Sequence, residues 1–386
     1  MAKLGDICTF QSGGTPSKSN SEYFNGSIPW ITTVALTGDY IDKNDAVDWI
    51  TDKAIQESAA KIVPENSIMV GTRVGIGKVA INAVPMSTSQ DIVSLINIDD
   101  AKWDKKFLCK VILARNNVLL SQARGATIKG IKIDTLAKLE IPEIPLNEQR
   151  RIAAVLDKVS GLIAKRREQL DKLDELVKAR FVEMFGDCKT NPKGWKTCYL
   201  EDIAEVGSSK RVFVEELKDE GIPFYRGTEV GALAEGMVIT PELFITEEHY
   251  KDLCEMTGKP QKGDLLMPSI CPDGRIWLVD TDAPFYFKDG RVLWVHGISD
   301  KFDPVFLLYT LKDRITTDYS SIASGTTFAE LKIFALKKCQ VFNAPVELQK
   351  KFSAFISVTN KSKLTIQQSL DKLEVLKKAL MQQYFG

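Results

Sequence analysis

The chain has 386 residues, 44% of them apolar, and its 51 basic and 51 acidic side chains cancel. That length suits two or three domains, the apolar content excludes a largely disordered chain, and the zero net charge excludes a bulk cationic surface for nucleic acid. Two histidines exclude multi-histidine metal centres, while seven cysteines with no Cys-x-x-Cys pair read as reduced thiols rather than a zinc site. No apolar run reaches membrane-spanning length and no signal-peptide pattern opens the sequence, so a cytoplasmic location is expected.

Residues 1–144 predict a mixed α/β domain. A short helix is expected at 21–24, with longer ones at 51–60 and 105–121. Strands are expected at 67–70, 78–84 and 92–98, set off by turn residues Gly13, Gly14, Asn25, Gly26, Gly75 and Gly77. Next, residues 147–185 predict one long helix. Ile152, Leu156, Val159, Ile163, Leu170, Leu173, Val177 and Met184 follow a coiled-coil spacing, with Arg166 and Arg180 in the seam. Asn147 and Gly186 supply start and stop signals. Residues 187–344 predict a second α/β domain, with strands at 264–267, 275–280 and 291–295, turns at Asp273-Gly274 and Asp289-Gly290, and a helix at 304–319. A second long helix is expected within 345–386, with Lys363 and Lys377 in its seam.

The last 42 residues repeat a stretch that lies 200 residues upstream. Pro145 to Gly186 aligns with Pro345 to Gly386 without a gap, pairing Gln149 with Gln349 and the Leu-Asp-Lys-Leu runs that begin at Leu170 and Leu370. The same offset relates Gly125, Thr127, Lys132 and Leu136 to Gly325, Thr327, Lys332 and Leu336. The predicted fold is therefore α+β: two globular mixed α/β domains joined by two long antiparallel coiled-coil helices, an internal duplication with pseudo-twofold symmetry. Charge is uneven between the parts: net 0 over 1–144, +2 over 145–186, −6 over 187–344 and +4 over 345–386.

Motifs for chemistry are missing. There is no Asn/Asp-Pro-Pro-Tyr/Phe segment of the kind that holds a flipped base, no dinucleotide fingerprint and no P-loop. The glycine-rich run Gly71-Thr-Arg-Val-Gly-Ile-Gly77 reads as a loop between strands, or as one that brings Arg73 to a phosphate or a base edge. Recognition by contact is the better-supported chemistry, carried by polar loop residues that reach bases and phosphates. The candidates are Lys18, Asn20, Arg73, Gln90 and Arg124 in the first domain. In the second they are Lys210, Arg211, Tyr225, Arg226, Ser269, Arg275 and Thr327. No catalytic and no metal-ligating residue is expected.

Leu4-Gly-Asp-Ile7, Gly13-Gly-Thr-Pro16, Ile28-Pro-Trp30, Pro145-Leu-Asn-Glu-Gln-Arg-Arg-Ile152 and Phe185-Gly-Asp187, in this order, resemble a type I restriction–modification specificity subunit over essentially the whole chain. The second copy departs from the pattern: Pro345-Val-Glu-Leu-Gln349 lacks the Glu-Gln pair, and its opening lacks Gly-Gly-Thr-Pro. The resemblance implies two target-recognition domains, at 1–144 and 187–344, each reading half of a bipartite double-stranded DNA target. It implies that the helices at 145–186 and 345–386 set the spacing and dock two methyltransferase (modification) subunits. S-adenosylmethionine, ATP and magnesium would belong to those modification subunits and to restriction subunits that translocate and cleave, and this chain would carry no cofactor. Two alternatives remain open: the specificity subunit of a methylation-only or fused modification–cleavage system, or a coiled-coil adaptor without a DNA role.

Overall fold

The computed structural model describes residues 1–123, 130–325 and 329–386. The chain divides into two compact units, one of Met1–Glu168 with Gln367–Gly386 and the other of Gln169–Ile366. The division falls inside two uninterrupted helices of 40 residues, Leu146–Phe185 and Val346–Phe385. Each unit is thus a globular part with one half of each long helix.

In the first unit β1 (Thr9–Ser12), β2 (Phe24–Ile31), β3 (Ile68–Gly71), β4 (Val79–Asn82), β5 (Met86–Thr88) and β6 (Ile92–Ile96) build two sheets. One runs β1-β6-β3-β4 with Tyr40–Ile41 at its edge; the other places β2 between Asp48–Ile50 and β5. β3, β4 and β6 are rich in β-branched and aliphatic residues, and β3 and β4 are buried along their whole length. Helix α1 (Lys105–Ala114) starts where Asp104 accepts a hydrogen bond from the Phe107 amide at 2.8 Å. The helix expected over 105–121 is two helices, because Arg115 leaves helical geometry at φ −89°, ψ 8° and a new helix begins at Asn116.

In the second unit β7 (Glu205–Gly207), β8 (Ile222–Tyr225), β9 (Leu265–Pro268), β10 (Trp277–Leu278), β11 (Tyr286–Phe287) and β12 (Val292–His296) repeat the plan. One sheet runs β7-β12-β9-β10, and β8 lies between Phe244–Ile245 and β11 in the other. Two helices the sequence pattern did not announce, α2 (Gly227–Ala234) and α3 (Glu247–Thr257), precede β9, while α4 (Pro304–Ile322) was expected. Two glycines in eight residues hide α2 from a propensity reading.

The long helices run antiparallel, as each unit shows by itself. In the first, Ile152, Ala153 and Leu156 near the start of one helix share a core with Phe385 at the end of the other, and the rings of Phe107 and Phe385 lie 5.7 Å apart. In the second, Val177, Phe181 and Phe185 pack with Phe352 and Ile356. Ion pairs follow the same sense: Arg167 with Glu374 at 2.7 Å, and seam residue Lys363 with Asp174. Seam residue Arg180 is used twice, by Glu183 at 2.8 Å and by the Phe355 ring at 6.0 Å.

One buried glutamine fastens each helix start to its globular part. Gln149 accepts from the Asp104 amide at 2.9 Å and donates to the Lys102 and Ile144 carbonyls at 3.0 and 2.9 Å. Gln349 does the same with the Asp303 amide at 2.8 Å and the Lys301 and Ala344 carbonyls at 3.2 and 2.7 Å. The aligned glutamines of the repeat are therefore structural.

Among the described residues no helix is long and apolar enough to cross a membrane. All seven cysteines are free thiols. Burial pushes the thiols of Cys109 and Cys271 up to about 12 and that of Cys339 to about 11. These three should resist alkylation at pH 8 until the chain is unfolded, as read by mass spectrometry of labelled peptides. Rapid labelling of any of them in the native chain would contradict the burial.

Candidate nucleic-acid interface

The second unit gathers cations at one end of its sheets. Where β8 stops, Arg226 opens α2; where β9 stops, Ser269 begins the loop that leads to Arg275; where β11 stops, Lys288 and Arg291 bracket the turn into β12. Together they line a cleft of about 400 Å³ with Thr228 and Pro268. Among the described residues no carboxylate lines it. Acidic residues hold the arginines from outside instead: Arg226 with Glu229 and with Glu242 at 2.9 Å, Arg275 with Asp273 at 2.8 Å, Arg291 with Glu330.

Burial pushes the Glu229 carboxyl up, but the Arg226 guanidinium, backbone amides and the Thr228 hydroxyl outweigh it and bring it down to about 2. A carboxylate depressed in this way adds stability that is fully present above its ordinary value of about 4.5 and is lost as pH falls toward about 2. Glu229→Gln should therefore cost on the order of 2 kcal/mol at pH 7. In urea unfolding, its deficit against the parent should shrink between pH 4.5 and pH 2; a deficit constant with pH would refute the assignment.

The first unit repeats the backbone of this place. The Thr72 amide donates to the Asp91 carbonyl at 2.8 Å and the Ile131 amide to the Thr72 carbonyl at 2.8 Å, as the Ser269 amide does to Arg291 at 2.9 Å and the Leu331 amide to Ser269 at 2.7 Å. The Ser89 amide reaches the Ile31 carbonyl, and the Lys288 amide the Tyr225 carbonyl, both at 2.9 Å. Strand register then equates Lys78 with Arg275 and Thr32 with Arg226. The scaffold is shared and the side chains are not: Arg226, Arg275, Lys288 and Arg291 stand where the first unit has Thr32, Lys78, Ser89 and Asp91.

The structure brings Arg226, Ser269 and Arg275 together at this cleft. Arg73 and Gln90 lie at the equivalent place in the first unit, where Arg73 is half exposed and pairs with Asp91 at 3.7 Å. The glycine-rich run is the loop joining β3 to β4. The Gly-Gly-Thr-Pro segment sets Gln90: the Thr15 hydroxyl accepts its amide hydrogen bond at 3.5 Å, and a Cβ on Gly13 would lie 2.2 Å from the Ser89 carbonyl. Lys18 is exposed, and Asn20 caps a helical turn by accepting from the Glu22 amide at 3.1 Å. Lys210 is exposed, and the Arg211 guanidinium sits 5.3 Å over the Phe213 ring. Tyr225 is half buried, its ring 5.2 Å from that of Phe285 and 6.3 Å from that of Trp277, so much of it belongs to the core. Arg124 and Thr327 lie outside the described residues. Lys288 and Arg291 were missed, although two cations flanking Asp289-Gly290 ahead of a buried strand signal a pair at a sheet end. Among the described residues no group of three or more His, Cys, Asp and Glu side chains could hold a metal ion.

Two copies of one α+β scaffold, each presenting its own polar loops and each completed by halves of two antiparallel helices, make an internally repeated protein. The model of the type I restriction modification DNA specificity domain matches residues 1–174 and 192–376, and the chain belongs to that family. It is 28% identical to the type I restriction enzyme MjaIX specificity subunit of Methanocaldococcus jannaschii, across 99% of this chain and 91% of that protein. It is 34% identical to the Escherichia coli EcoR124I/EcoR124II specificity subunit, across 45% of this chain and 44% of that one. The fold matches the crystal structure of the type I restriction–modification S subunit from M. genitalium with a TM-score of 0.61 at 17% identity, covering 100% of this chain and 95% of that one. A chain from a study of complex assembly in a type I system also scores 0.61, at 19% identity with 100% and 96% covered.

Proposed function

We propose that this specificity subunit reads a bipartite double-stranded DNA sequence, one half per unit, and catalyses no reaction itself. The observation that supports this most directly is the repeated backbone at 72–91 and 269–291 carrying different side chains: one scaffold used for two readings. Base contacts from side chains such as Arg73 and Gln90 would choose sequence, while phosphate contacts, with Arg226 and Arg275 among the candidates, would fix register. Lys18, Asn20, Arg124, Lys210, Arg211, Tyr225, Ser269 and Thr327 complete the candidate contact set. The antiparallel helices would dock two modification subunits bearing S-adenosylmethionine, and restriction subunits using ATP and magnesium would join them in the cytoplasm. With no net charge on this chain, the partners would supply much of the nonspecific grip.

The test is a genome-wide map of methylated adenines in a host expressing the modification subunit of the same system, with and without this chain. A bipartite motif present only with the chain is expected, and exchanging residues 1–144 for those of a relative should alter one half only. A folded complex that yields no chain-dependent motif would overturn the reading and favour an adaptor.

A further inference from the structure

We propose that the cationic cleft of the second unit seats one backbone phosphate of its DNA half-site, and that the first unit has no such seat. The inference rests on the DNA-reading function above and deepens it. Lys288, Arg226, Arg275 and Arg291 converge on one concavity without a lining carboxylate among the described residues. The start of α2 lies beside it as well, with Gly227 and Thr228 in the lining. The carboxylates behind the arginines fix the direction of their forks, which lowers the ordering cost of closing on an anion.

The seat is built, since the helix is thinned to admit the guanidinium. A Cβ on Gly231 would lie 3.0 Å from Nη1 of Arg275, and one on Gly227 would lie 3.3 Å from the Arg291 carbonyl. Lys288 is exposed and has no ion pair among the described residues, which leaves its ammonium for an outside anion. At the equivalent positions the first unit has Thr32, Lys78, Ser89 and Asp91, one cation and one anion. Arg73, paired with Asp91 at 3.7 Å, is the second cation at that place, so a phosphate would meet two cations there against four in the second unit. The chemistry also fits a phosphate better than a base edge, because four cations around a rounded cleft match a compact anion, whereas a base is read by one flat fork.

The experiment uses the full chain in complex with its modification subunits and a duplex carrying the mapped target. Lys288→Ala should weaken target and nontarget DNA by the same factor, about three- to tenfold near physiological salt, and lower the slope of log K against log salt by about one. Gly231→Ala, which displaces Arg275 without removing charge, should weaken binding in the same sequence-independent way. Single methylphosphonate replacements scanned across both halves should reveal one phosphate, in the half read by the second unit, whose neutralisation weakens the parent but not Lys288→Ala any further. A loss confined to one base position would overturn the proposal and make the cleft a base reader. Unchanged affinity and slope in both variants would overturn it as well. A parent complex with no preference for the bipartite target is a different failure, one that removes the underlying reading.

Discussion

Gln349→Ala should destabilise the chain by roughly 3–5 kcal/mol, read as a fall in the urea midpoint at unchanged slope. The side chain is fully buried and its amide satisfies three backbone groups, those of Asp303, Lys301 and Ala344. Truncation strands all three where water does not reach, and each stranded group costs about 1–3 kcal/mol. Gln149→Ala should act alike on the first unit, where the network is the same. Gln349→Glu gives a sharper test. It keeps an acceptor for the Asp303 amide but turns a carboxylate toward two carbonyls, so its folded pKa should rise. A raised carboxyl withdraws stability as pH climbs above the ordinary value of about 4.3, so the deficit should be larger at pH 8 than at pH 5. Equal deficits at both pH values would count against the two carbonyl contacts.

Phe352→Ala should cost about 3–5 kcal/mol, the range for emptying a packed aromatic site. Phe352 is fully buried, with ring centroids 5.5 Å from Phe181, 5.6 Å from Phe185 and 5.2 Å from Tyr309. These rings belong to both long helices and to α4, so one side chain ties three elements together. Hydrogen exchange should show protection lost chiefly in α4 and in 177–185, with α1 little changed. A uniform loss across both units would mean that the ring acts through global stability alone.

The long helices were legible because a coiled-coil spacing sustained over many turns is a redundant signal, and the repeat doubled it. β3, β4, β9 and β12 were legible as short aliphatic runs between turn glycines. α2 was not, because its glycines are placed for Arg275 and Arg291, a tertiary demand that local propensity cannot reveal. The break at Arg115 was likewise invisible in an unbroken helical pattern. For the candidate interface, residue type and loop position pointed to Arg226, Ser269 and Arg275, but not to their meeting in one cleft. That meeting depends on the register of β8 with β11 and of β9 with β12, which pairs residues 24 to 62 positions apart. Tyr225 shows the converse: a side chain chosen for its chemistry is largely spent on packing with Phe285 and Trp277.

The first unit is assembled from both ends of the sequence, since Met1–Glu168 is completed by Gln367–Gly386, whereas the second is a single stretch. On a ribosome that adds about 5–20 residues per second, the completing segment would follow Glu168 by roughly 10–40 seconds. During that interval the groove around Phe107, Ile152 and Leu156 waits uncovered for Phe385, while the whole of the second unit is synthesised. The nascent chain is thus exposed to chaperones and misassociation at the first unit, and a stalled or clipped product lacking Phe385 would leave that apolar groove open.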